Sequence, residues 1–227
     1  MRISGLQKNS FVDYPGKISA VLFTPGCNMD CFYCHNRILL DSDSEKIIGC
    51  DDVLTFLESR KGFLDGVVVS GGEPTLQKGL LTFLKSVKSL GYPIKLDTNG
   101  TNPEVLKNCL DKGLLDYIAM DFKAPLNKYE YICRTNVNID NIKRSLDLII
   151  NSGINYEFRT TLAPGLDIDD IVEIAKQIRG AKLYVLQRCR NEKGESLGYS
   201  AEFINYRIGE IKGIVNAVET RGMSFSA

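Results

Sequence analysis

The chain has 227 residues, 44% of them apolar, and its 28 Lys plus Arg balance 28 Asp plus Glu. That is apolar material enough for one domain with a sizeable core, and a formal net charge of zero gives no overall attraction to nucleic acid or to an anionic membrane. No apolar run approaches the roughly 20 residues that cross a bilayer, and Met1-Arg2-Ile3-Ser4-Gly5 lacks the apolar core of a secretion signal, so the expected setting is cytoplasmic.

Residues 1–17 are polar and carry turn chemistry at Asp13-Tyr14-Pro15-Gly16, which reads as an entry loop to a first strand at 18–24. Pro25-Gly26 bends the chain into Cys27-Asn28-Met29-Asp30-Cys31-Phe32-Tyr33-Cys34-His35-Asn36, with three thiols inside eight residues. A polar segment at 41–46 follows, then a helix at 51–60 for which Asp51 or Asp52 is the expected cap. Gly66-Val67-Val68-Val69-Ser70 is a short strand without alternation, which implies burial on both faces, as in a parallel sheet. A helix at 76–90 ends at Gly91, and a strand at 94–98 leads through Asn99-Gly100 to a helix opening at Pro103, a residue suited to the first helical turn. There follow a strand at 117–121, a loop through Pro125, a helix at 140–151 closed by Ser152-Gly153, and a strand at 155–162. A helix at 168–179, a strand at 182–187, a loop at 188–198 and a terminal helix at 201–220 complete the chain.

Strands that alternate with helices mean parallel β/α units. A closed barrel of eight units takes about 250 residues, so six strands in this length predict an α/β fold of another kind, an open partial (β/α)6 barrel. No linker or low-complexity tract divides the sequence, which reads as a single domain over 1–227.

The three thiols admit three objects. Zinc would need a fourth ligand, and His35, the sole histidine, directly follows Cys34, a spacing that structural zinc sites rarely use. Cys31-Phe32-Tyr33-Cys34-His35 fits the haem attachment pattern, but that signal belongs to exported proteins and leaves Cys27 without a role. Iron–sulfur chemistry suits soft thiolates, and a cube of four irons normally takes four cysteines. Three leave one iron open, and an open position marks a reactive metal site rather than a structural one. Cys50, Cys109, Cys133 and Cys189 are scattered and read as small buried or free thiols in a compartment that keeps them reduced.

In barrels of this kind reactive residues sit at the C-terminal ends of the strands. That rule selects the cysteine loop, Ser70-Gly71-Gly72-Glu73-Pro74, Asp97-Thr98-Asn99, Asp121 with Lys123, and Arg159. Gly71-Gly72 lets backbone come close to a ligand and Glu73 sets an acceptor beside it, although the segment is also an ordinary strand-to-helix turn with Pro74 opening the helix.

The C-x-x-x-C-x-x-C spacing with an aromatic before the third cysteine, followed by Gly71-Gly72-Glu73-Pro74, resembles the radical S-adenosylmethionine (SAM) superfamily and its open barrel. Val12-Asp13-Tyr14-Pro15-Gly16 and Cys34-His35-Asn36 resemble the activating enzymes of glycyl-radical enzymes. Over nearly the whole chain the resemblance is to the activators of anaerobic ribonucleoside-triphosphate reductase, in their longer form. It implies a [4Fe-4S] cluster on Cys27, Cys31 and Cys34, with SAM chelating the open iron through its amino group and carboxylate. Gly71, Gly72 and Glu73 would then meet the methionyl amino group, Lys123 the carboxylate, Arg159 the carboxylate or the ribose, and Tyr33 the adenine. Asp97, Thr98 and Asp121 match positions that hold a monovalent cation near SAM in the formate-lyase activator. His35 would tune the cluster or cap its loop.

The plainer alternatives are salt bridges for Lys123 and Arg159, a turn acceptor for Asp97 and loop packing for Tyr33. The implied reaction is reductive cleavage of SAM to methionine and a 5′-deoxyadenosyl radical, which takes hydrogen from a glycine Cα of a partner enzyme. A low-potential donor such as flavodoxin or ferredoxin would supply the electron. The other readings are an activator of a pyruvate formate-lyase-type enzyme, a radical SAM enzyme acting on a small molecule, and a non-catalytic iron–sulfur or zinc module. Neither nucleic acid nor membrane is an expected partner.

Overall fold

The computed structural model describes residues 1–41, 47–190, 194–197 and 208–222. Its centre is a run of six parallel strands, β2 (Lys17–Thr24), β3 (Gly66–Gly71), β4 (Ile94–Thr98), β5 (Tyr117–Asp121), β6 (Asn155–Leu162) and β7 (Tyr184–Arg190), hydrogen-bonded in chain order. Helices α1 (Cys50–Ser59), α2 (Leu80–Ser89), α3 (Pro103–Asp111), α5 (Ile139–Ile150) and α6 (Ile168–Gln177) form the crossovers, with a short α4 (Tyr129–Cys133) before α5. The six parallel β/α strands are those that the alternation predicts, and the sheet curls into a half-barrel.

Side chains alternate between the two faces of each strand, and here the two faces differ in kind. Leu22, Val67, Val69, Leu96, Ile118 and Phe158 pack against the helices in one large core. On the other face Val21, Val68 and Tyr117 join Tyr14 in a small apolar floor. Further along the same strands Ser70, Asp97, Asp121 and Arg159 line a cavity at the strand ends. Val68 therefore faces the barrel and its two Val neighbours the helices, which is why this strand shows no alternation.

Several boundaries differ from the sequence reading. Residues 5–14 are not a loop: β1 (Gly5–Tyr14) is an antiparallel edge strand on β2, joined by a tight turn at Pro15-Gly16. Consecutive residues on both of its faces are exposed, Phe11 and Val12 among them, and its pairing with β2 is interrupted by register shifts, so the apolar alternation is missing. The expected helix at 76–90 is broken: a single 3-10 turn, Pro74–Leu76, is separated from α2 by Gly79 in the left-handed region. Helix α1 is capped at Gly49, with Asp51 and Asp52 in its first turn, where they face the positive end of the dipole. The loop through Pro125 contains α4. Strand β7 runs on to Arg190, where the sequence predicts loop, and pairs with β8 (Ser196–Leu197).

Of the expected terminal helix, 201–207 lie outside the described residues and only 208–212 are helical, after which β9 (Val218–Arg221) pairs parallel with β7. Past the helix Gly213 N–H donates to Glu210 O at 3.2 Å, and Asn216 N–H donates to Ala181 O at 2.9 Å. The polar stretch at 42–46 also lies outside the described residues.

Candidate active site

The cysteine loop leaves the end of β2 and is held from several sides. Gly26 adopts φ +85 and donates to Leu39 O at 2.7 Å, while Gln77 Nε2 donates to Pro25 O at 2.6 Å. Cys34 N–H closes a turn on Cys31 O at 3.0 Å, and Arg37 donates to Cys31 O at 3.3 Å and Asp30 Oδ1 at 2.6 Å. Cys27, Cys31 and Cys34 thereby line one cavity of ≈ 410 Å³ together with Tyr33, His35, Gly71, Gly72, Glu73, Asp97, Asp121, Lys123 and Arg159. The expected residues are thus brought together, the exposed His35 included.

The glycines act in a way the sequence did not disclose. A Cβ on Gly72 would collide with the Gly26 carbonyl, and one on Gly71, at φ +123, with the Thr24 backbone. Gly72 N–H donates to Thr24 O and Glu73 N–H to Gly26 O, both at 2.8 Å. The close approach is therefore to the cysteine loop itself, which the glycine pair ties to β3.

Glu73 is fully buried. Its Oε1 accepts from Thr75 N–H at 3.1 Å, the Thr75 hydroxyl at 2.5 Å and the Thr98 hydroxyl at 2.8 Å, and its Oε2 accepts from Asn99 N–H at 2.7 Å. Burial raises its pKa although these donors pull the other way. The side chain is a strut between two strand ends.

Asp97, Asp121, Lys123 and Arg159 form one network. Arg159 Nε donates to Asp121 Oδ1 at 2.8 Å, Lys123 Nζ to Asp121 Oδ2 at 3.0 Å, and Arg159 Nη1 lies 3.4 Å from Asp97 Oδ2. Burial pushes the Asp121 carboxyl upward, but Arg159 and Lys123 overcome it and hold the group far below the usual range. The same contest keeps Asp97 lowered through Arg159 and Lys95. Lys123 is raised, because Asp121, with Tyr33 and Cys31 also near, outweighs the cost of burying the ammonium. The backbone of Lys123 is fixed too, its N–H donating to the buried Tyr129 hydroxyl at 3.1 Å.

The thiols differ among themselves. Burial raises Cys27 to about 11 and also raises Cys34, whereas Cys31 is lowered, chiefly by the neighbouring Cys133 thiol. Cys133 lies at the end of α4, and its carbonyl accepts from Asp30 N–H at 3.0 Å. In the sequence it is one scattered thiol among four; here it packs against the loop. Nothing local in the sequence pointed to it.

An iron–sulfur cluster suits these residues. Three soft donors share one cavity, and the buried Tyr33 hydroxyl at the same cavity has no hydrogen-bond partner among the described residues. No three His, Cys, Asp or Glu side chains among the described residues converge so as to bind a single ion. A cube makes no such demand, because each cysteine bonds a separate iron.

Comparison with known proteins agrees with this geometry. Residues 21–178 match the radical SAM superfamily. A Methanocaldococcus jannaschii protein provisionally named a glycyl-radical enzyme activating enzyme is 38% identical over 197 residues, 82% of this chain and 79% of that one. The pyruvate formate-lyase-activating enzyme of Clostridium pasteurianum is 29% identical over 80% of this chain and 79% of its own. In fold, the Streptococcus suis protein SuiB, crystallised with the precursor peptide SuiA, superposes with a TM-score of 0.69 at 13% identity, over 88% of this chain and 47% of SuiB, so that this chain spans about half of that structure. The chain belongs to the radical SAM superfamily and, within it, to the glycyl-radical enzyme activating enzymes. Members of the superfamily use a [4Fe-4S] cluster and SAM.

Proposed function

We propose that this protein cleaves SAM reductively and places a glycyl radical on anaerobic ribonucleoside-triphosphate reductase. The observation that carries the reading is the meeting of Cys27, Cys31 and Cys34 with Lys123, Arg159 and the unpartnered Tyr33 hydroxyl around one cavity at the strand ends. The cysteines would hold three irons, and Lys123 and Arg159 present positive charge for the SAM carboxylate. Asp121 grips both cations through separate oxygens, so their placement is set before any ligand arrives. Gly71, Gly72 and Glu73 keep the cysteine loop against β3 and leave its inner wall free of side chains at the glycine pair. Tyr33 offers an aromatic wall and a hydroxyl. When bound, the cluster and SAM supply a 5′-deoxyadenosyl radical that takes a hydrogen atom from a glycine Cα of the partner.

Among the described residues the sheet runs from β1 to β8 without closing on itself, which supports a protein loop as the substrate over a metabolite. One apolar core extending from Ile3 to Val215 supports a single working domain. No helix among the described residues is long and apolar enough to cross a membrane, and seven free cysteines suit the reducing cytoplasm, where flavodoxin or ferredoxin would donate the electron.

The test mixes anaerobically reconstituted, reduced protein with SAM and the reductase and records electron paramagnetic resonance. The expected result is a glycine-centred radical that disappears when the target glycine of the reductase is replaced by alanine. A signal only with a pyruvate formate-lyase-type enzyme would move the partner to that group. SAM cleavage without a radical on any glycyl-radical enzyme of the organism would indicate a small-molecule substrate.

A further inference from the structure

The residues that match a monovalent-cation site do not fit one. Thr98 turns its hydroxyl to Glu73, away from the two aspartates. Every carboxylate oxygen of that pair already takes a donor. Asp97 Oδ1 accepts from Lys95 Nζ at 2.5 Å, and its Oδ2 accepts from the Ser70 hydroxyl at 3.0 Å with Arg159 Nη1 at 3.4 Å. Asp121 accepts from Arg159 and Lys123. Three cations among the described residues thus pair with these two carboxylates, so that the aspartates offer an incoming ion no uncompensated charge. Glu157 on the same face is engaged as well: Arg221 holds that carboxylate bidentately, 2.7 Å at each oxygen, and Arg159 stands 4.0 Å away. A further cation would therefore find no free charge to bind.

Lys95 is the unexpected member. It stands two residues before Asp97 on β4, hence on the same face, and its side chain is 1% exposed. The ammonium lies 6.0 Å from the centre of the Tyr117 ring, on the floor of the half-barrel. A lysine so deeply buried persists only where a partner holds its charge, and Asp97 does so. An ammonium and a potassium ion are alike in charge and close in size, but the ammonium cannot diffuse away.

We propose that Lys95 is a built-in substitute for the monovalent cation, neutralising Asp97 so that SAM binds without an alkali metal ion. This rests on the SAM site proposed above. Its consequence is a SAM affinity indifferent to which monovalent salt surrounds the protein.

The test measures SAM affinity of the reconstituted holoprotein in choline, sodium and potassium chloride at one ionic strength. Wild-type affinity is expected to agree within about twofold across the three salts. Lys95→Met removes the charge at similar length, and its affinity in choline is expected to fall about tenfold or more and to be restored by potassium with saturation. A saturable potassium requirement in the wild type overturns the proposal, as does Lys95→Met binding SAM equally in choline and potassium. If Lys95→Met does not fold, the wild-type comparison decides alone. Absence of wild-type SAM binding in every salt would overturn the SAM site itself. The melting temperature of Lys95→Met against potassium then reads the substitution directly: a rise supports an ion entering beside Asp97, and a flat line overturns it.

Discussion

At the scale of residues, the cavity separates side chains that would bond to cofactors from those that hold them in place. Cys27→Ala, Cys31→Ala and Cys34→Ala are each expected to abolish the four-iron cluster, read by absorption and Mössbauer spectroscopy after reconstitution, while Cys50→Ala, Cys109→Ala and Cys189→Ala retain it. Cys133→Ala should also retain the cluster, because Cys133 reaches the loop through its backbone carbonyl, which accepts from Asp30 N–H and survives the substitution. Lys123→Ala is expected to keep the cluster and weaken SAM binding by about 1.5–3 kcal/mol, the worth of a charge-assisted hydrogen bond, as titration would show. Gly72→Val should behave differently. Its side chain would strike the Gly26 carbonyl and displace the cysteine loop, so cluster and SAM binding are expected to fall together. Retention of an intact cluster in Gly72→Val would contradict the close approach seen here.

At the scale of elements, the helices are set by caps and by single glycines. Asp167 caps α6 by accepting from Asp170 N–H, while Asp170 accepts from Asp167 N–H, each at 2.8 Å. The Asp170 backbone hydrogen bond, with Lys128 nearby, lowers the Asp167 pKa despite a little burial. A depressed folded-state pKa contributes stability above the unfolded value of about 3.9, and that stability is lost as pH falls through the folded value. Asp167→Ala is therefore expected to cost about 1 kcal/mol at neutral pH in urea unfolding. The gap from wild type should narrow in acid, below about pH 4. A gap that widened there would show that the carboxylate is not the capping group. The same local logic fails at α2, where Gly79 interrupts a helix that hydropathy reads as continuous from 76.

For the whole molecule, the described C-terminal strand is tied to the barrel by a charge pair across β7. Arg221 of β9 reaches the fully buried Glu157 of β6, which also accepts from the Tyr117 hydroxyl at 3.0 Å. Removing one member of such a pair leaves a buried charge exposed to the low dielectric, so Arg221→Met is expected to destabilise by about 3 kcal/mol. Arg221→Met combined with Glu157→Gln should recover part of the loss in thermal denaturation. Equal loss in the single and double variants would mean that β9 is held by packing alone.

The sequence by itself determined the cluster loop, because its three sulfurs lie within eight residues and need only a turn to face one way. It determined the six parallel strands as well, since burial on both faces writes itself as short apolar runs between amphipathic helices. Tertiary structure decided the edge strands β1 and β9, whose largely unburied residues leave no apolar period to read. It turned Thr98 toward Glu73 and away from Asp97, and it brought Cys133 to Cys31 from a helix three strands further along the chain. It also made Lys95, one cation inside an apolar strand, the partner of Asp97. These pairings follow from strand register and from the curl of the sheet, which bring together side chains distant in sequence; no local spacing encodes them.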